Sequence, residues 1–467
     1  MKLNRVPIII CLAATAVISG ACSEEKTVDS MEFLTYSNEA ITFKYPDWPD
    51  VAPEEDEIFL LKTNGTEVFS AARYPVPSTL MKRELEQNIG AVFDGEYAYH
   101  KLGTGSSALN AVTRLLYSDY ETYTLTIAGQ ETPDASLLDT AECKTRELNT
   151  RDKVGIMPVP AYGDASLLTS ACREARSLGA EVISWYFFWS GLADDWAVAD
   201  YVMEGLSHEG KSVVVMNVIH TNVLGEYPPE FESFTDPGFK EGFAEFSVDF
   251  VDRYQPDYYF IGGEVDIYLN EHRDEIQAFQ EVLSYAYHAI KSASPETQVG
   301  LVVTYHYARD NGAIDIIQTL APECDIIGYT VHPHLENFSY RDISRGLEYL
   351  NEVPGVVPDM PFAILETCWS SSVLLESSEE LQAEFVHDFF SFVDSGGAEF
   401  VIWFSLHDQD DCSEAARTHL EPLPHLLEDE QYIRFFKEFM CSPGLKNTDG
   451  SPKQAWYVWQ QYIEPLN

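Results

Sequence analysis

The amino-acid sequence predicts an α/β protein, a (β/α)8 TIM barrel preceded by a small α+β domain. Eight apolar, β-rich runs alternate with helical patterns after residue 153, whereas the chain before them shows short alternating strands. Eight such units in about 300 residues are typical of a closed parallel barrel. The 467 residues, 45% of them hydrophobic, suffice for more than one domain with a buried core.

The chain is strongly acidic. Its 29 Lys and Arg residues stand against 76 Asp and Glu residues, which gives a formal net charge of −47 at pH 7. Such a charge repels the phosphates of nucleic acids and the headgroups of anionic lipids. Nucleic acid is therefore excluded as a partner. Because salt screens the repulsion among the carboxylates, the composition favours an extracellular or saline setting.

The N-terminus predicts export. A basic start and an apolar run at 6–18 precede small residues and Cys22, a pattern typical of a signal peptide over residues 1–21. Cys22, followed by an acidic tether over 22–30, resembles a bacterial lipobox, in which the cysteine is lipidated after cleavage. We expect a cell-surface or periplasmic protein that touches the membrane only through this lipid anchor. Ordinary signal-peptide cleavage, which would secrete the protein, is the alternative.

Residues 31–130 predict the small α+β domain. Alternating patterns indicate strands at 41–45, 58–61, 68–72, 111–117 and 123–128. Asn64-Gly65 indicates a hairpin turn, because this pair adopts the positive φ angles of a type I′ turn, and a helical pattern covers 78–89. The run 41–48 is similar to the opening of PsbP-like domains. The polar segment 131–153 lacks periodicity and is the predicted linker.

Residues 154–467 predict the barrel. Its eight strands are expected at 154–159, 182–188, 213–219, 258–261, 300–304, 326–330, 362–365 and 400–404. The clearest helix between them places Phe239, Phe243, Phe246 and Phe250 on one face. The cysteines after Cys22 show no spacing typical of zinc, so we expect buried thiols with one disulfide of undetermined partners.

Two glutamates stand at the ends of strongly apolar strands. Glu264 follows the fourth run and Glu366 ends the seventh. Chemistry in such barrels lies at the carboxyl ends of the strands, and the fourth and seventh strands lie across the barrel from each other, so the two carboxyl groups should converge. Glycoside cleavage needs such a pair, since one group protonates the leaving oxygen while the other attacks the anomeric carbon. A separation of about 5 to 5.5 Å selects retention of configuration.

The residues around both glutamates resemble motifs of clan-A glycoside hydrolases. Glu366-Thr-Cys-Trp369 resembles the Glu-Thr-Gly-Trp nucleophile motif of the endo-β-galactanases and related β-glucanases, and Gly262-Gly263-Glu264 resembles the Gly-Asn-Glu acid/base motif of the same families. The resemblance implies a (β/α)8 barrel in which Glu366 is the nucleophile and Glu264 the acid/base. Gly263 departs from the motif, because these families have an Asn there whose amide would hold the 2-hydroxyl of the substrate.

Aromatic residues lie at other strand ends, where their rings could stack on the apolar faces of sugars. These candidates are Trp185, Tyr186, Trp189, Trp369 and Trp403.

Polar candidates for substrate binding follow three further strands. His220 and Asn222 come after the third strand and could orient the acid/base or a hydroxyl, and Tyr305 closes the fifth. Tyr329 and His332 lie at the end of the sixth strand. There the clan-A resemblance implies a residue that hydrogen-bonds the nucleophile and keeps it ionised.

These features predict a retaining glycoside hydrolase that acts on a β-linked polysaccharide or oligosaccharide, with carbohydrate as its partner and neither cofactor nor metal. Two alternatives stay open. A surface lipoprotein that binds glycans without cutting them is favoured by Gly263. A metal-dependent barrel hydrolase would use His332 and His334, since imidazoles one residue apart occur as ligands in such barrels. The sequence predicts neither the sugar nor the oligomeric state.

Overall fold

A computed structural model describes residues 151–463, except 193–195, 207–209, 334–337, 414–415 and 417–428, together with strands and a few adjoining residues between 33 and 143. The predicted signal peptide, Cys22, the Asn64-Gly65 turn and the helix at 78–89 lie outside the described residues. The chain divides into two compact units, Met1–Glu147 with Glu464–Asn467 and Leu148–Ile463. Among the described helices, none combines the length and the apolar character needed to cross a bilayer.

The N-terminal unit consists, in its described part, of two antiparallel sheets. The larger sheet has the strand order Phe59–Thr63, Glu67–Tyr74, Glu121–Gly129, Leu109–Ser118, Tyr97–Leu102 and Val92–Asp94. The smaller sheet has the order Phe33–Ser37, Ile41–Pro46 and Glu142–Cys143. The strands on either side of the predicted hairpin turn pair with each other, with Thr63 opposite Val68. Glu142–Cys143, within the segment predicted as a linker, pairs with Ile41 and Thr42.

The second unit is a closed barrel of eight parallel strands, so the predicted (β/α)8 fold is confirmed. The strands are β1 Val154–Ile156, β2 Val182–Phe187, β3 Lys211–His220, β4 Tyr258–Gly263, β5 Gln298–Thr304, β6 Ile326–Val331, β7 Phe362–Thr367 and β8 Val401–Trp403. Each pairs with its neighbours in chain order, and β1 pairs with both β2 and β8, which closes the barrel. A two-residue strand, Val223–Leu224, adds antiparallel to the end of β3.

Alternate side chains of the strands fill the barrel. Val213 and Val215 of β3 pack with Tyr258 and Phe260 of β4 in one buried cluster that also takes in residues of the other strands. The ring of Phe260 occupies the centre, because a side-chain carbon added at Gly300 or Gly328 would lie 3.0 Å from it. The interior is therefore a packed core, which leaves the carboxyl ends of the strands for chemistry.

Helices surround the strands. They are α1 Leu168–Ser177, α2 Ala197–Leu206, α3 Phe239–Tyr254, α4 Val265–Glu271, α5 Ile276–Ala293, α6 Tyr305–Asn311, α7 Ile314–Leu320, α8 Ser344–Glu352, α9 Glu379–Ser395, α10 Glu430–Cys441 and α11 Gln454–Ile463. The four phenylalanines predicted to share one face of α3 are all buried. Cys412 and Cys441 form a disulfide that joins the segment after β8 to the end of α10, and Cys172, Cys324 and Cys368 are free thiols.

Candidate active site

Glu264 is held at the carboxyl end of β4 by two threonines. The chain adopts positive φ at Gly262 and at Glu264, which turns it sharply from β4 into α4. The Glu264 carboxylate accepts hydrogen bonds from the hydroxyl of Thr221 at 2.8 Å and from that of Thr330 at 2.6 Å. Thr221 follows β3 and Thr330 belongs to β6, so residues of two other strand ends fix the orientation of this carboxylate.

Glu366 lies at the corresponding end of β7, and its neighbours link it to Glu264. Its side chain is 14% exposed, and its Oε2 atom lies 3.5 Å from Nε2 of His332. Thr330, which donates to Glu264, is also the residue opposite Glu366 in the β6–β7 register. The two glutamates therefore meet at the same mouth of the barrel, on either side of the end of β6.

His332 provides a positive charge between the two carboxylates. Burial lowers its pKa, but contacts with the Cys368 thiol and the Glu366 carboxylate outweigh this effect and raise the pKa to about 10. Its Nδ1 atom lies 3.7 Å from Sγ of Cys368. The Nδ1 side of the ring thus faces the Cys368 thiol and the Nε2 side faces Glu366.

Glu264 is biased toward its ionised form. Burial alone would raise the pKa of Glu264, but the hydrogen bond from Thr330, the charge of His332 and the hydrogen bond from Thr221 together hold it below its usual value. The charge of His220 acts in the same direction. The substrate-free site thus stabilises a carboxylate at the end of β4.

Tyr186 of β2 lies close to both glutamates. Burial, followed by the charges of Glu366 and Glu264, raises the pKa of Tyr186 well above its usual value. Its buried hydroxyl interacts with Glu366 but forms no hydrogen bond of normal geometry. His220 packs its ring edge-on against Tyr186, with 6.2 Å between the ring centroids. Tyr186 therefore places a neutral proton donor beside both carboxylates.

The prediction that Trp369 and Trp403 stack on sugars is wrong. Trp369 and Trp403 are fully buried, and their indole N–H groups donate to Ser377 and to the carbonyl of Pro443. Both rings pack against Phe385 of α9. They belong to the core between strands and helices, because an aromatic residue near a strand end can face the helices as readily as the mouth.

Trp189 also belongs to the core. Its ring contacts four phenylalanines, Phe231, Phe239, Phe243 and Phe246, and only 6% of the residue is exposed. It therefore offers no face to a sugar. Trp185 remains partly exposed, but it shares its side of β2 with Phe187, which packs against Phe250 of α3.

The predicted tyrosines at β5 and β6 also lie away from the glutamates. The Tyr305 hydroxyl donates to Glu352 of α8 at 2.6 Å. Tyr329 is buried, and its ring lies 6.3 Å from that of Phe362. Successive side chains of a strand face opposite sides, so Tyr329 faces outward where Thr330 faces inward. The expectation that Tyr329 contacts the nucleophile is wrong, and His332 makes that contact.

His220 lies close enough to Glu264 to influence it, and Asn222 directly follows Thr221, whose hydroxyl donates to Glu264. His220 lowers the pKa of Glu264, as noted above, and the Asn222 amide is buried without a hydrogen-bond partner. Among the described residues, no three His, Cys, Asp or Glu side chains are grouped as metal ligands. His334, required by the metal alternative, lies outside the described residues.

Sequence reasoning missed five residues of the site. They are Asn217, Thr221, Thr330, Cys368 and Phe404, whose ring lies 6.3 Å from that of His332. One signal could have found one of them, since Asn217 is a polar residue inside an apolar run. Nothing in the sequence marks Thr221, whose role depends on the turn after β3.

Comparisons with known proteins gave matches among solved structures only. No protein-family model matches the chain, and no curated protein is similar to it in sequence. An exo-β-1,4-mannosidase, Op5Man5 from Opitutaceae bacterium strain TAV5, is similar with a TM-score of 0.49 and 14% identity over 67% of this chain and 60% of that chain. The chain thus spans less than two thirds of that mannosidase.

Two further solved structures are similar at the same level. The GH53 catalytic domain of Ignisphaera aggregans has a TM-score of 0.45 and 12% identity over 68% of this chain and 98% of that chain. A GH5_18 protein from Streptomyces cattleya in complex with Manβ1-4GlcNAc has a TM-score of 0.47 and 16% identity over 67% of this chain and 80% of that chain. Identities this low assign no activity to the chain.

Proposed function

We propose that this protein is a retaining glycoside hydrolase that cleaves a β-linked polysaccharide or oligosaccharide. The observation that carries the proposal is that Glu264 and Glu366 lie at one mouth of the barrel, where His332 interacts with both carboxylates. Thr330 is opposite Glu366 in the sheet, and its hydroxyl donates to Glu264. A pair of carboxyl groups around one space is the machinery of glycoside hydrolysis by double displacement.

Glu366 is the nucleophile in this mechanism. Its Oε2 atom lies 3.5 Å from Nε2 of His332, which orients the carboxylate at the mouth of the barrel. A Glu366 oxygen forms a bond to the anomeric carbon while the bond from that carbon to the leaving oxygen breaks. The result is a covalent glycosyl ester of Glu366 and a free leaving-group alcohol.

Glu264 is the acid and then the base. Its carboxyl proton passes to the leaving oxygen in the first step. In the second step the Glu264 carboxylate takes a proton from water, the water oxygen bonds to the anomeric carbon, and the ester bond to Glu366 breaks. Two inversions restore the original configuration. Because the pKa of Glu264 lies below its usual value, the protonated form needed for the first step is most abundant at low pH, and we expect an acidic optimum.

Separate replacement of the two glutamates tests the proposal on a panel of aryl β-glycosides. Glu366→Ala removes the route through the ester and should lower the rate about 10⁵-fold or more. Glu264→Ala should keep the first step on substrates whose leaving group needs no proton, and added azide should restore turnover with a β-glycosyl azide as product. Azide rescue of Glu366→Ala should give the α-azide instead.

Glu296→Ala, at an exposed glutamate in the turn before β5, is the matched control and should behave like the wild type. Wild-type activity in both Glu264→Ala and Glu366→Ala would show that the carboxylates are assigned to the wrong residues.

A glycan-binding protein without hydrolytic activity is the second candidate. Gly263 favours it, because this position lacks the amide found in the motif that the sequence resembles. Binding of a β-glycan by a wild-type protein that cleaves no member of the panel would support this candidate over the hydrolase.

A further inference from the structure

The strand β3 contains a bulge beside the candidate active site. Met216 is opposite Ile261 of β4, but the next register pair is His220 opposite Gly263. Residues 217–219 of β3 therefore face the single residue 262 of β4. Bulges are common next to active sites, where they turn a side chain in a new direction.

The backbone of this bulge is bonded to the turn that follows it. The carbonyl of Val218 accepts hydrogen bonds from the N–H of Gly225 at 2.9 Å and from the hydroxyl of Tyr227. Gly225 approaches so closely that a side-chain carbon there would lie 2.0 Å from the carbonyl oxygen of Asn217. Since both sides are anchored, the bulge holds the side chain of Asn217 in a defined place.

The side-chain amide of Asn217 has no hydrogen-bond partner in this place. The residue is 1% exposed, and neither its Oδ1 nor its Nδ2 atom is bonded. Buried polar groups are nearly always paired, and leaving one unpaired destabilises the fold. A buried amide with both ends free has the capacity to bind a hydrogen-bonding group from outside the protein.

The Asn217 amide occupies the space that a side chain at position 263 would need. A carbon added to Gly263 would lie 2.7 Å from Asn217 Oδ1, 3.3 Å from Tyr186 Cε1 and 3.5 Å from His220 Nδ1. Gly263 directly precedes Glu264, and Tyr186 lies beside both carboxylates. The amide therefore lies against the backbone that carries Glu264 and close to Tyr186.

We propose that the Asn217 amide binds the 2-hydroxyl of the sugar on which Glu366 and Glu264 act, an inference that rests on the proposed function. An amide can both donate to and accept from a hydroxyl. Hydrogen bonds to the 2-hydroxyl strengthen in the transition state of glycoside hydrolysis. Asn217 thus supplies from β3 the contact that Gly263 cannot supply from β4, and the lack of a side chain at Gly263 makes room for it.

The experiment compares hydrolysis of two substrates by the full-length protein and its variants. The substrates are the 4-nitrophenyl β-glycoside that the wild type cleaves best and its 2-deoxy analogue. We expect Asn217→Leu to lower kcat/KM for the normal substrate about 10²- to 10³-fold, because hydrogen bonds to the 2-hydroxyl contribute most in the transition state. The 2-deoxy analogue should be affected little, so the ratio of the two rates falls toward one.

A positional exchange provides the second variant. Gly263→Asn alone crowds the Asn217 amide and should lower activity, whereas Asn217→Gly combined with Gly263→Asn moves the amide to β4 and should recover part of the rate ratio. Asn311→Ala, on the exposed face of α6, is the control for loss of an asparagine. The ratio of the rates on the two substrates is measured within one variant, so it does not depend on the fraction of protein that is folded. If Asn217→Leu does not fold, Asn217→Ala replaces it.

Two results overturn the inference and are distinguishable. If the wild type cleaves the panel but Asn217→Leu keeps the wild-type rate ratio, the amide binds a buried water or nothing, and the hydrolase proposal stands. If the wild type cleaves no glycoside, the proposed function fails and the role of Asn217 fails with it.

Discussion

Thr330 determines how the two candidate catalytic residues relate to each other. Its backbone is opposite Glu366 in the sheet, and its hydroxyl donates to Glu264 at 2.6 Å. A hydroxyl that donates to a carboxylate stabilises the ionised form. This single side chain therefore contributes to the lowered pKa of Glu264 while its strand positions Glu366.

Thr330→Val should move the pH profile of the proposed hydrolysis. The valine keeps the shape of the side chain but cannot donate, so the ionised form of Glu264 loses stabilisation and its pKa rises. Because the lost hydrogen bond stabilised only the charged form, the basic limb of kcat/KM should shift to higher pH. Activity above that limb then increases, because more of the acid is protonated.

The control for this prediction is Thr319→Val, whose hydroxyl donates to a backbone carbonyl in α7 away from the site. A basic limb that stays in place in Thr330→Val, or moves to lower pH, would contradict the role given to Thr330.

At the residue scale, the sequence predicted that the two glutamates and His332 lie at strand ends, and the structure places them there. The predictions from the sequence were wrong where the role of a residue depended on which side of its strand the side chain faces. Tyr329 and Thr330 are neighbours in sequence but lie on opposite sides of β6, and the end of an apolar run does not reveal the parity. The prediction that Trp403 stacks on a sugar was wrong for a related reason, because tryptophan is favoured both in a buried core and in a sugar-binding site.

At the scale of elements, the turn after β3 is the part of the barrel that departs from a regular β/α unit. Val223–Leu224 pairs back on β3, and Gly225 donates to the carbonyl of Val218. The eight strands could be predicted from their apolar runs. The bulge could not, because it depends on the close approach of Gly225 to the backbone of Asn217, and such a tertiary contact leaves no periodic pattern.

Gly225→Ala should destabilise the protein and impair the site together. The added carbon would lie 2.0 Å from the Asn217 carbonyl oxygen, so the turn or the bulge must move and the bond to Val218 is strained. Overpacking of this kind typically costs about 1–3 kcal/mol of unfolding free energy, measurable by urea denaturation. Gly355→Ala is the matched control, because nothing lies within 4 Å of its added carbon; equal stability of the two variants would contradict the prediction.

At the scale of the whole molecule, the chain divides close to where the polar composition predicts a linker. The barrel unit begins at Leu148. A chain that starts at Asn149 retains all eight strands and their core, so we expect it to fold alone and to unfold cooperatively. Circular dichroism and thermal unfolding of the shortened chain are the measurements; aggregation of a shortened chain whose full-length form is soluble would show that the first 148 residues are needed for the barrel.

The short first strand has a consequence for the order in which the barrel opens and closes. β1 has three residues, and it is joined to β2 by one register pair, Gly155 opposite Val182, whereas β2 and β3 share six pairs from Val182 to Phe187. Joining β1 to β8 also closes a loop of about 250 residues, an entropic penalty that the other strand pairs do not share.

The amides of β1 should therefore exchange with deuterium earlier than those of Val213–Met216 in β3, in a mass-spectrometric exchange experiment under native conditions. Equal protection of both segments would mean that the barrel opens only as a whole. β1 supplies none of the side chains described around Glu264 and Glu366. The barrel can therefore open where β1 pairs with β2 and β8, on the timescale of exchange, while the strands that hold the glutamates stay paired.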